Sequence, residues 1–218
     1  MEKKQEKIIV VVLILVILAL AFGISYSVYS RTSKEYTYLG PAGNFSFVLD
    51  RHTGNDVHIL ALPYMPNSLW EKTFLIPFNY GPEELEGIYT EEVRELIIDS
   101  PEIYMVRDVY LDEKTQNNIA VAILNVDRVV GQDMLTPPIY NIPITFGAIE
   151  ENSLSQGLGL QVMTCEDAHA VTTVIWFKEG TENKIYKENE YCVVVEFKEG
   201  ENPIKSATRL VYHITGVM

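Results

Sequence analysis

The sequence predicts an α/β fold of mixed α+β character: an N-terminal transmembrane helix, a β-meander, then a mixed sheet with about three helices. Three observations predict it. Ile8 to Phe22 is an unbroken apolar run behind the charged start Met1-Glu-Lys-Lys-Gln-Glu-Lys7. Residues 43–62 contain runs that alternate apolar and polar side chains, the period of two of a half-buried strand. Beyond residue 81, segments of helical period exchange with β-rich runs, the order that builds α/β units.

From Ile8 to Ile24 no side chain is charged or hydrogen-bonding. At about 1.5 Å per residue the run covers about 25 Å, slightly under a hydrocarbon core of about 30 Å. Tyr26, Val28 and Tyr29 extend it, and the tyrosines suit the interface. Contact with the lipid bilayer is therefore expected through residues 8–29. An interfacial helix would need a polar face, which this run lacks. The alternative is a cleaved signal with Ala19-Leu20-Ala21 as its small-residue site, but the apolar run continues past it through Phe22 and Ile24. Lys3, Lys4 and Lys7 abut the run, whereas Arg31 and Lys34 follow it loosely. The positive-inside rule then gives a single-pass protein of the cell membrane, N-terminus cytoplasmic, C-terminal part extracytoplasmic. The expected organisation is an anchor over 1–30, a juxtamembrane linker over 31–35, a β-rich meander over 36–80 and an α/β domain over 81–218. The segment 36–218 is long enough to form one ectodomain.

The chain carries a formal charge of −13, and the part beyond the anchor is more acidic still. Such a surface repels phosphate backbones, so no nucleic-acid partner is expected. A hydrophobic content of 47% with ten prolines argues against disorder. Cys165 and Cys192 are the only cysteines. Outside the cytoplasm an even count points to one bridge, whose loop of about 27 residues would contribute about 3–4 kcal/mol. Placed at the ends of two strands, the cysteines are expected to bridge if those strands are neighbours. Free buried thiols or a reactive thiol are the other readings.

Phe45, Phe47 and Leu49 fall on one side of a strand over 43–50, and 52–56 is a turn cluster. Val57 to Leu62 is the return strand, ended by Pro63 and Pro66, and 69–78 is a further extended stretch. Pro82 starts a short helical turn. Thr90 can cap a helix in which Val93, Leu96 and Ile97 share a face, stopped by Ser100-Pro101. Residues 103–111 read as a strand and 112–118 as a polar loop. Ile119, Ala122, Ile123, Val126, Val129 and Val130 recur at helical spacing before Gly131. Ala120, Val121 and Leu124 make the first half of that helix apolar nearly all round, so a strand over 119–126 is the alternative. The prolines of 136–143 and the polar run 153–159 read as irregular connections. Strands are expected over 160–165, 171–177, 184–186 and 191–197. Asn202-Pro203 opens a last helix with Ile204, Ala207, Leu210, Val211 and Ile214 on one stripe.

The densest reactive group is Cys165-Glu-Asp-Ala-His169, so Cys165, Asp167 and His169 are the candidates for chemistry. Neighbours on a loop converge on one point only with a second contributing segment, and a tethered loop is the plainer reading. Asp50, His52, Asp56 and His58 flank the first turn and could approach one another; an exposed hairpin explains them as well. His213 falls in the last helix beside the apolar stripe. Asn44-Phe-Ser46 is an N-glycosylation sequon. No P-loop, dinucleotide fingerprint, G-x-S-x-G, H-E-x-x-H or EF-hand pattern occurs, so neither a cofactor nor a metal is expected.

Thr164-Cys165, Asn183-Lys-Ile-Tyr186, Tyr191-Cys-Val-Val194 and Arg209-Leu-Val-Tyr212 with Gly216-Val217, behind a lysine-rich start and one span, resemble uncharacterised single-pass, membrane-anchored extracytoplasmic proteins of small-genome archaea. That family pattern has an acidic residue before the Arg-Leu pair, where this chain has Thr208. The resemblance implies a cell-envelope location and no reaction. The expected function is a membrane-anchored binding, assembly or scaffold protein of the envelope with an envelope protein partner; the alternative is a membrane-tethered hydrolase using the Cys165–His169 loop. The full chain should stay in membranes through carbonate washing, whereas a chain starting near Tyr36 should be soluble. A soluble mature form beginning near Phe22 would replace the anchor with a cleaved signal.

Overall fold

Alternating apolar side chains need a partner surface on one side, and here two sheets supply it to each other through one helix. A computed structural model describes residues 33–51, 56–64, 72–132 and 139–218, with Leu20 isolated from them. The expected span over 8–29 lies outside the described residues, Leu20 aside. Among the described residues no helix is long and apolar enough to cross a membrane.

The first sheet is an antiparallel meander of β1 (Lys34–Gly40), β2 (Gly43–Asp50), β3 (Val57–Tyr64) and β4 (Lys72–Phe78), hydrogen-bonded in that order. Its inward side carries Phe47, Leu60, Ile76 and Phe78, all buried. A Cβ on Gly40 would fall 2.0 Å from the Val217 carbonyl oxygen, so only glycine lets the β1–β2 turn close on the end of the chain. The Ala42 N–H donates to the Gly216 carbonyl across the same contact.

The second sheet has seven strands: β5 (Tyr89–Thr90), β6 (Glu102–Arg107), β7 (Ile144–Ala148), β8 (Gln161–Val162), β9 (Thr172–Gly180), β10 (Lys184–Asn189) and β11 (Cys192–Lys198). Their order is β5-β10-β11-β9-β6-β7-β8. From β11 to β8 every pairing is parallel, and β10 joins β11 as an antiparallel hairpin. The helices are α1 (Arg94–Ile98), α2 (Glu113–Val130), α3 (Ser153–Leu158) and α4 (Ile204–Ile214). The fold is thus mixed α+β with more sheet than helix.

Ile103 and Met105 of β6, Ile175 and Phe177 of β9, and Val193 and Val195 of β11 point to one face of this sheet. There they meet α2, α4 and the inward side of the meander in a single core. The opposite face carries Val106, Val174 and Cys192, packed against Tyr104, Met163, Cys165 and Trp176. Cys165 and Cys192 form a disulfide, with their Cα atoms 5.3 Å apart. The bridge is not strand to strand. Cys165 lies in a 3-10 turn after β8, and β8 and β11 are separated by β9, β6 and β7. The chain crosses back over the opposite face after β8 and is tied to the first residue of β11.

Several boundaries differ from the sequence expectation for local reasons. Asp112, rather than the end of a polar loop at Asn118, caps α2: its carboxylate accepts from the Lys114 and Thr115 N–H groups at 3.0 and 3.2 Å. The first turn of α2 exposes Glu113 and Lys114 and buries the polar Gln116, so its apolar period is silent there. Thr90 does not cap a helix; it pairs with Ile185 in β5, and the helix begins at Arg94. The 153–159 run forms α3, with Asn152 accepting from the Leu154 and Ser155 N–H groups at 2.9 and 2.8 Å and Gly159 ending it at φ +64°. The strand expected over 160–165 shrinks to Gln161–Val162, and β3 runs through Pro63 to Tyr64. β1, which alternates exposed and half-buried side chains, extends the meander back to Lys34.

Non-reducing peptide mapping should recover one linked Cys165–Cys192 pair. Replacing both cysteines with alanine should lower unfolding stability by about 3–4 kcal/mol by the chain-entropy relation, read as a shifted denaturant midpoint. Stoichiometric alkylation of both thiols in unreduced, natively purified protein would overturn the pairing.

Candidate binding groove

The residues singled out in the Cys165–His169 turn are spent on holding the turn. Asp167 accepts from the Thr164 N–H and hydroxyl, both at 2.8 Å, and the Thr164 hydroxyl oxygen accepts from the Glu166 N–H at 3.3 Å. These bonds hold the exposed Asp167 carboxyl below its ordinary range. His169 exchanges two backbone bonds with Thr172, at 3.0 and 2.8 Å, while its imidazole is exposed and joined to neither Cys165 nor Asp167. With the Cys165 sulfur in a disulfide, the turn offers no thiolate. Asn44 lies exposed on β2, where a glycan would be accommodated.

Among the described residues the hairpin group gathers no metal site. Asp56 pairs with Arg51 at 3.3 Å, and His52 lies outside the described residues. His58 turns away, to Tyr36 and to the 81–84 turn. The Tyr36 hydroxyl and His58 Nδ1 are 2.7 Å apart, and His58 Nε2 is 3.4 Å from Glu84 Oε1, which also accepts from the Gly81 N–H at 2.7 Å. Burial holds the His58 imidazole below its usual range, and burial with Glu83 and Glu84 pushes the Tyr36 phenol up. Both are neutral near pH 7, so the phenol donates to Nδ1 and the ring presents its Nε2–H to Glu84. A cleft of about 320 Å³ opens beside them. A Cβ on Gly81 would fall 2.8 Å from His58 Cε1, which marks a tight clasp between meander and turn.

An apolar groove of about 200 Å³ lies elsewhere, on the helix-bearing face of the seven-stranded sheet. Met105 of β6 is fully buried beneath it; Leu124 of α2 and Phe146 of β7, 53% and 42% exposed, form its rims. Ile123 lines the α2 side, Leu160 the approach to β8, and the small side chain of Ala120 leaves the space open. Met105 pairs with Phe146 in register, and α2 joins these two strands, so one β-α-β unit builds both walls. Val121, also exposed, widens the apolar surface on α2.

Arg107 closes one end. It follows Met105 on the same face of β6, at the carboxyl end of the parallel strands, where open α/β sheets place their ligands. Its Nη1 donates to the Gln116 carbonyl at 3.2 Å, and burial lowers its pKa. Among the described residues no carboxylate pairs with it. On the other side of the strand end, Asp108 accepts from the Trp176 indole N–H at 3.0 Å, and Lys178 lies 4.7 Å from the Trp176 ring centre. Burial raises the Asp108 carboxyl. The groove is therefore an apolar slot with one cation at its end. Among the described residues no group of three or more His, Cys, Asp or Glu could hold a metal.

Compared with protein-family models, curated proteins and solved structures, the chain matches none.

Sequence reasoning missed the groove because its lining comes from four separate segments without a motif. One signal was present: Ala120, Val121 and Leu124 exceed the apolar stripe that α2 needs to cover the core.

The histidines give a pH prediction. His58 and His213 are both held low by burial. A depressed histidine pKa favours the fold above about pH 6.5 and withdraws that support as pH falls through the folded value. Denaturant midpoints should fall between about pH 7 and about pH 5, and His58→Gln should fall less over that window. An identical pH slope in the variant would show that His58 carries no such linkage.

Proposed function

We propose that this protein is a membrane-anchored, extracytoplasmic binding module of the cell envelope, single-pass with its N-terminus in the cytoplasm. The observation that carries the reading is the open apolar groove beside α2 on a sheet whose remaining core-facing surface is covered. An exposed apolar rim costs solubility unless something occupies it. The Cys165–Cys192 disulfide supports an oxidising compartment, and the apolar run from Ile8 to Ile24 with its leading lysines supports the anchor and its orientation. The acidic surface keeps such a module off nucleic acid and anionic lipid. A hydrolase built on the Cys165–His169 turn has no supporting observation, since the sulfur is bridged and Asp167 is occupied by Thr164.

The test is co-purification from native membranes, with bound proteins and lipids identified by mass spectrometry. Leu124→Glu places a charge on the rim of the groove at a half-exposed position and should leave the unfolding free energy within about 0.5 kcal/mol of wild type. An envelope component retained by the wild type should be lost from this variant. Equal recovery of every bound component would count against the groove as the binding surface.

A further inference from the structure

We infer that the groove binds a linear aliphatic carboxylate, its chain in the slot between α2 and β7 and its head group on Arg107. The inference rests on the reading of the groove as the binding surface and names the class of its ligand.

Size is the first argument. About 200 Å³ is below the roughly 300–1,000 Å³ of pockets that engulf drug-sized ligands. On α2 the lining residues are Ala120, Ile123 and Leu124, little more than one helical turn. A docked partner helix reads its groove at i, i+3, i+4 and i+7, over about two turns, so this slot is too short for that mode. A single narrow aliphatic chain fits it. The lining is apolar, aliphatic apart from Phe146 and the Met105 thioether, and Arg107 is its one strong hydrogen-bonding side chain.

Charge is the second argument. Acidic residues outnumber basic ones by 30 to 17, yet no carboxylate among the described residues reaches Arg107. Among the described residues its guanidinium is given one hydrogen-bond partner, the Gln116 carbonyl, a neutral acceptor. A half-buried guanidinium without an anion loses hydration without a compensating ion pair, and its planar fork matches a carboxylate with two parallel bonds. Gln116 orients this side chain from α2, so the cation is held at the mouth of the slot rather than swinging into solvent. A neutral alcohol would fill the slot but leave the cation unmatched; an alkylammonium would be repelled.

The experiment uses the full chain in lipid nanodiscs and a photoreactive octanoate with a diazirine in its chain, with crosslinked residues mapped by mass spectrometry. Labelling should saturate, fall on Leu124, Phe146 or Leu160, and be displaced by octanoate at least about tenfold more effectively than by octan-1-ol. Arg107→Gln should weaken octanoate displacement about tenfold, Arg107→Lys should recover part of it, and Ala120→Phe should abolish groove labelling by filling the slot. Unchanged circular dichroism and an intact disulfide would show that each variant is folded. Labelling that is unsaturable, confined to other parts of the chain or equally displaced by octan-1-ol overturns the inference. If octanoate fails while Leu124→Glu still releases a co-purified envelope component, the ligand class is wrong and the binding module stands. If both fail, so does the module.

Discussion

Helix α4 meets apolar surface on both sides, because it lies between the meander and the seven-stranded sheet. Tyr212 packs edge-on against Phe47 and Phe78 of the meander, with ring centres 5.8 and 4.9 Å away, while Leu210, Val211 and Ile214 are buried in the same core. A helix this deeply buried must pair most of its polar groups, and Arg209 is the exception, its Nε and Nη1 buried without a hydrogen-bond partner among the described residues. The Tyr212 hydroxyl donates to the Tyr80 carbonyl at 2.8 Å, Ser206 to the Glu196 carbonyl at 2.9 Å and Thr208 to the Ile204 carbonyl at 2.8 Å. The end of the helix is secured likewise: the Ile214 carbonyl accepts from the Arg94 guanidinium at 2.8 Å and the Tyr140 hydroxyl at 3.0 Å. Deleting the Tyr212 ring would open a cavity at the meeting point of both sheets, where neither can relax without the other.

This use of α4 decides what is left uncovered. Packed against α2 and β11 and shared with the meander, α4 lies over the β11 side of the sheet, and β7 and β8 are at its other edge. Helix α2 covers the middle strands but is apolar beyond what that requires, through Val121 and Leu124. The connection from β7 to β8 contains only the six residues of α3, whereas a covering helix usually runs to about three turns. The surface a third long helix would close is the groove, with Arg107 at the strand ends.

Much of this architecture was legible in the sequence, and the failures have physical causes. The strands over 43–50, 57–62, 171–177 and 191–197 were visible because each buries a face and so must alternate or run apolar. The last helix was visible as a stripe, but not that Ser206, Thr208 and Tyr212 are buried too; their burial depends on partners 10, 4 and 132 residues away. The start of α2 is polar even where Gln116 is buried, and α3 offers only the pair Leu154 and Leu158, so their caps at Asp112 and Asn152 are the clearer signals. Thr90 has the side chain of a cap and the pairing of a strand, and the backbone bond from Glu91 to the Ile185 carbonyl settles it for the sheet. The groove had no local signature beyond the surplus on α2, since binding surfaces assembled across segments are written in topology rather than spacing.

The cysteine pair shows how topology can reach the expected result by another route. Neighbouring strands were the expected support for the bridge, and β8 and β11 are not neighbours. From β8 the chain must return past β7 and β6 to enter β9, about three strand spacings or 14 Å, which the short segment 163–171 spans readily. It runs across the face opposite the helices, where the buried contacts are few: Val106, Val174 and Cys192 with partly covered neighbours. Apolar burial of that extent is a weak tether for an irregular crossing, whose backbone pairs with the sheet only at its two ends, Met163 to Ala148 and His169 with Thr172. The disulfide fixes its midpoint, Asn189 adds a bond from its side-chain amide to the Cys165 carbonyl at 2.7 Å, and the Thr164–Asp167 box closes the turn. Two short connections thus shape the two faces: the β7–β8 link leaves the helix-bearing side open, and the β8–β9 return is stapled on the other side.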